Sequence, residues 1–95
     1  MKIDIDEIKN KITPILKRCG VKKAALFGSI VRGEAAPDSD LDILVEIEDN
    51  ISLLDFVGIK IEIEEALGKK IDLVEYSTIK PLIKERILNE QVVIL

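Results

Sequence analysis

The 95-residue sequence contains no histidine and no tryptophan, one cysteine, and only three aromatic residues, Phe27, Phe56 and Tyr76. Without histidine there is no imidazole base and no histidine-ligated zinc. A lone cysteine, Cys19, excludes an internal disulfide and suits a reducing compartment, so a cytoplasmic setting is expected. Cys19 lies on the apolar stripe of a predicted helix and reads as a small core residue. No apolar run approaches the roughly 20 residues of a membrane span. The first residues, Met1 to Glu7, alternate charged with apolar and do not have the pattern of a signal peptide. Positive charge is also short, with 14 Lys and Arg against 18 Asp and Glu and a net charge of −4. Nonspecific nucleic-acid binding needs several cations on one face, so direct nucleic-acid contact is not expected.

What the chain does have is 47% hydrophobic and 34% charged residues, the balance of a folded soluble domain. Its length allows one hydrophobic core, hence a single domain over residues 1–95. Ile5, Ile8, Ile12, Ile15, Leu16 and Cys19 recur at helical spacing, with Asp4 as cap and Gly20 as stop. Pro14 predicts a kink or a division of this helix near Thr13. Val21 to Phe27 reads as a buried strand, Ser29 to Arg32 as a brief helical turn, and Glu34 to Ser39 as a loop. Leu41 to Glu48 reads as a second strand. A long helix is predicted from about Ile51 to Leu67, capped by Asp49-Asn50 and ended by Gly68. Its apolar residues exceed one stripe, which implies deep burial or an interface. Lys70 to Tyr76 follows as a third strand. A last helix is predicted with Ser77 or Thr78 as cap, Pro81 in its first turn and Leu82, Ile83, Ile87 and Leu88 on one face. A short strand within Gln91 to Leu95 ends the chain. This order predicts an α/β (α+β) fold, a small mixed sheet with helices packed on one face. The crossover helix makes the second and third strands neighbours or near neighbours.

The chemistry concentrates between Phe27 and Asp42. Gly28-Ser29 ends the first strand, where small residues let backbone approach phosphate oxygens. Asp40 and Asp42 open the second strand at a spacing of two, which directs both carboxylates to one side, where they can hold a hard divalent cation. Asp72 is a third acid, set within an otherwise core-like strand. From Glu34 to Asp49 there are seven acidic residues and no basic one. A solvated acidic face is the default explanation of such a run, and a cation-binding site is the functional one. Each part alone is an ordinary turn or edge; together they form the equipment for phosphoryl or nucleotidyl transfer.

The run Phe-Gly-Ser-x-x-Arg-Gly-Glu-Ala-x-x-x-Ser-Asp-Leu-Asp, from Phe27 to Asp42, resembles the signature of the polymerase-β-type nucleotidyltransferases. It is similar in particular to their minimal nucleotidyltransferase branch, commonly the antitoxin partner of a HEPN-domain toxin. The resemblance continues through Lys70-Ile71-Asp72-Leu73-Val74 and the closing helix. It implies that Asp40, Asp42 and Asp72 are the catalytic, metal-ligating residues for two Mg2+ ions. It further implies that Gly28, Ser29 and Arg32 bind the phosphates of a nucleoside triphosphate. The implied reaction transfers AMP from ATP to a tyrosine of the toxin. The alternative is an antitoxin that neutralises by covering its partner. No segment here grips a primer or a tRNA end, so the acceptor is expected from a partner protein in a homo- or hetero-oligomer.

Overall fold

The computed structural model describes residues 5–28, 31, 40–47 and 51–95. The expected roles of Asp4, Ser29 and Arg32, the loop Glu34 to Ser39, and the Asp49-Asn50 cap lie outside these residues. Chain order is α1 (Ile5–Arg18), β1 (Val21–Phe27), β2 (Leu41–Ile47), α2 (Leu53–Leu67), β3 (Ile71–Glu75), a 3₁₀ turn (Tyr76–Thr78), α3 (Pro81–Glu90) and β4 (Val92–Val93). The predicted order of helices and strands is reproduced, with the 3₁₀ turn as an addition.

The strands form one mixed sheet in the order β3-β2-β1-β4. β1 runs antiparallel to both β2 and β4, and β2 runs parallel to β3. The parallel pair is the one joined by α2, since only a crossover can return the chain to the same end of the sheet. Alternation along the strands sorts the residues by face. Ala24 and Leu26 of β1, Leu41, Ile43 and Val45 of β2, and Ile71 of β3 form one buried core with Ile8, Ile12 and Leu16 of α1 and Ile59 and Ile63 of α2. Asp42, Leu44 and Glu46 take the other face of β2.

Three local expectations need correction. Pro14 lies inside α1, and the helix continues through it undivided. Pro14 removes the bond to the carbonyl of Asn10, but both residues are exposed, so water can serve that oxygen while Ile8, Ile12 and Leu16 hold the buried stripe. α2 begins at Leu53 with Ser52 as its cap, whose Oγ accepts the backbone N–H of Asp55 at 3.1 Å. α3 is capped by Lys80 without a side-chain hydrogen bond, and Pro81 opens it. Thr78 instead donates to the Glu75 carbonyl at 2.8 Å and closes the 3₁₀ turn. α3 buries none of its residues fully.

The far face of the sheet carries a second tie. Tyr76, just beyond β3, hydrogen-bonds through its hydroxyl to Oε1 of Gln91, just before β4. The Lys23 ammonium sits 5.3 Å from the centre of the Tyr76 ring. These contacts link the two edge strands and fix both ends of the segment that carries α3.

Candidate active site

Two of the three candidate aspartates, Asp42 and Asp72, are placed by strand register. Asp42, the second residue of β2, pairs with Phe27 of β1 on one side and with Asp72 of β3 on the other. Register partners in adjacent strands face the same side of a sheet, with backbones about 4.8 Å apart. Asp42 and Asp72 therefore present two carboxylates from neighbouring strands to one face. Asp40 is exposed and immediately precedes β2. Among the described residues, no three acidic, histidine or cysteine side chains are gathered so as to hold a metal ion. Asp42 and Asp72 are thus brought together, while Asp40 lies outside the strand, one residue before it.

The register follows from how β3 is entered. α2 ends at Gly68, which adopts the left-handed conformation at φ 64° and returns its N–H to the Glu64 carbonyl at 2.8 Å. The N–H of Lys69 reaches the same carbonyl at 3.3 Å. The Glu64 side chain then accepts the N–H of Ile71 at 3.1 Å, and the Leu41 N–H donates to the Lys70 carbonyl at 3.2 Å. These four bonds align Leu41 with Ile71, and so Asp42 with Asp72. The sequence-based expectations gave Glu64 no role; its place four residues before the stop glycine was the available sign.

Gly28 closes the site on the β1 side. Its φ is +82°, and its carbonyl accepts the N–H of Val31 at 3.1 Å, which turns the chain sharply after the strand. A β-carbon at this position would lie 2.4 Å from Oδ2 of Asp42. The carboxylate therefore occupies space that only a glycine leaves open.

The donors on this face are carboxylate oxygens, the ligands that a hard cation such as Mg2+ takes. Asp40, Asp42 and Asp72 fit such an ion in the type of their donors, and the register brings two of them, Asp42 and Asp72, to one face. A cleft of about 470 Å³ lies elsewhere, against the first turn of α2 and the far ends of β2 and β3. Its lining of Ile47, Ile51, Leu53, Phe56 and Leu73 is mainly apolar, and it contains none of the three aspartates.

A mixed sheet that sets carboxylates on adjoining strands beside a glycine turn is an arrangement suited to metal-assisted transfer of phosphoryl or nucleotidyl groups. The chain belongs to the polymerase-β nucleotidyltransferase family, whose model matches residues 10–95. It is 54% identical over 93 residues to a Methanocaldococcus jannaschii relative named as a protein adenylyltransferase, covering 98% of this chain and all of that one. It is 40% identical over 94 residues to the protein adenylyltransferase MntA of Thermococcus cleftensis, covering 95% of each. A solved structure described as a minimal nucleotidyltransferase superposes with a TM-score of 0.82 at 33% identity, over 95% of each chain. A chain from a complex of tri-AMPylated Shewanella oneidensis HEPN toxin with MNT antitoxin shares the fold. There the TM-score is 0.74 at 20% identity, over 95% of this chain and 71% of that one.

Proposed function

We propose that this protein is a Mg2+-dependent protein adenylyltransferase that moves AMP from ATP to a tyrosine hydroxyl of a HEPN-family toxin, and thereby acts as its antitoxin. The observation that carries the proposal is the register pairing of Asp42 with Asp72, with Gly28 abutting Asp42. The relatives at 54% and 40% identity carry the adenylyl and protein specificity in their names. Asp40, Asp42 and Asp72 would hold two Mg2+ ions, which when bound supply neutralisation of the triphosphate and polarisation of its oxygens.

The chain's own residues do the rest. Gly28, Ser29 and Arg32 hold the β- and γ-phosphates. Asp72 faces the acceptor and takes the proton of its hydroxyl, the role that no histidine is present to fill. The acceptor oxygen bonds to the α-phosphorus, the bond from that phosphorus to the bridging oxygen breaks, and pyrophosphate leaves. The acceptor hydroxyl is presented by the partner protein. The lone cysteine fits a cytoplasmic site of action. Among the described residues no helix is long and apolar enough to cross a membrane.

A second reading, neutralisation by covering the toxin, is favoured by one observation. Leu53 and Leu54 of α2 are 77% and 83% exposed, with Val57 and Ile61 also open. Incubation of the toxin with ATP labelled at the α-phosphate separates the two. Mg2+-dependent label on a toxin tyrosine, greater with ATP than with GTP, CTP or UTP, is the expected result. A toxin that stays unlabelled yet is silenced would establish covering instead.

A further inference from the structure

We infer that Gly28 is a positioning residue for the Asp42 carboxylate, a role separate from any contact it makes with phosphate. This rests on Asp42 being a metal ligand, as proposed above. A β-carbon at Gly28 would meet Oδ2 of Asp42 at 2.4 Å, Cγ at 3.4 Å and Cβ at 3.7 Å. The same construction at Gly20, Gly58 or Gly68 meets nothing within 4 Å. Gly20 and Gly68 share the positive φ of Gly28, so left-handed backbone alone does not produce the contact.

The close approach is built into the sheet. Phe27 is the register partner of Asp42, and Gly28 is the next residue. Asp72 flanks Asp42 on the opposite strand. The carboxylate is thus set between the α-carbon of Gly28 and the side chain of Asp72. A methyl group on Gly28 would have to displace Oδ2, the free end of a side chain, because Gly28 directly follows Phe27, the residue paired with Asp42. Displacing one oxygen of a ligand that must point at a cation changes how that cation is held, with no loss of charge from the site.

The glycine acts through Asp42, so its test is a double-mutant cycle. The four proteins are wild type, Gly28→Ala, Asp42→Ala and the double variant. Each is melted without ligand, and wild type and Gly28→Ala are titrated with Mn2+ alone, the free ion being followed by electron paramagnetic resonance. Backbone strain at φ +82° is present in both backgrounds and cancels. The expected result is a larger fall in Tm from Gly28→Ala when Asp42 is present than when it is alanine. Recovery of folding only in the Asp42→Ala background supports the same conclusion. The Mn2+ dissociation constant should rise about ten- to a hundredfold in Gly28→Ala, as when a group that orients a metal ligand is altered. Equal falls in Tm in the two backgrounds, unfolding in both, or unchanged Mn2+ affinity would overturn the inference. Neither nucleotide nor toxin is used, so a failure here is distinct from failure of AMP transfer.

Discussion

In the proposed reaction Asp42 and Asp72 are the residues on which function turns, and their replacement separates chemistry from folding. Asp42→Asn and Asp72→Asn keep the shape of each side chain and remove its charge. Each is expected to lower AMP transfer at least about a hundredfold, since metal-held charge stabilisation is worth several kcal/mol. Asp72 is exposed, so Asp72→Asn should change the unfolding free energy by no more than about 0.5 kcal/mol. Rate assays and chemical denaturation of the same preparations check both statements. Tyr76 tests a different part of the sheet. Burial, and then the negative charge of Glu46, raise its pKa above the ordinary value of 10.0. A raised pKa means that the folded state holds the phenol proton more tightly than the unfolded chain does. The associated stability is complete below pH 10 and is lost as pH rises through the folded value. The stability difference between wild type and Tyr76→Phe should therefore narrow above about pH 10, as measured by denaturation across that range. The place of Asp42 on β2 was legible in the sequence from strand period, whereas Asp40, expected to open the strand with it, lies just before the strand. The Tyr76–Gln91 bond and the closeness of Gly28 to Asp42 were not legible, because both join residues that only the sheet brings together.

At the scale of elements, the turn from α2 into β3 sets the register of the candidate site. Gly68 has φ 64° with no neighbouring atom in the way of a β-carbon. Gly68→Ala should therefore cost only the left-handed strain, about 1–2 kcal/mol, measurable by denaturation. Glu64→Gln should be better tolerated than Glu64→Ala, since only the alanine leaves the Ile71 N–H without its partner. Strand limits were legible because apolar β-branched runs and glycines bound them sharply. Helix starts were less so. Asp49, Asn50 and Ser52 can all cap, and the residue that does so is decided by where the chain leaves the sheet. Pro14 was expected to kink or divide α1 on propensity alone. The buried stripe of α1 packs along α2, where Arg18 also pairs with Glu62, and that packing overrides a penalty of about 3 kcal/mol.

The whole molecule is an acidic domain with more apolar surface than its own core can use. Leu53, Leu54, Val57 and Ile61 of α2, and Leu82, which is 95% exposed, with Ile83 of α3, remain uncovered within the chain. The excess on α2 was legible as more than one apolar stripe, whereas the exposure of α3 was not, because its spacing alone resembles a core-facing helix. If α2 contributes to the docking of the toxin, Leu54→Asp should weaken the complex at least about tenfold, the effect of losing one well-buried apolar contact. It should leave the stability of the isolated protein within about 0.5 kcal/mol. Calorimetric titration and thermal melts report the two quantities.

The central claim is that the carboxylates of β2 and β3 transfer a nucleotidyl group to a partner protein. Intact-mass analysis of the toxin, co-expressed with wild type or with Asp42→Asn, tests it most directly. The account predicts AMP adducts on a tyrosine with the wild type and unmodified toxin with the variant. Adducts of equal abundance with both, or an unmodified toxin with the wild type, would contradict it.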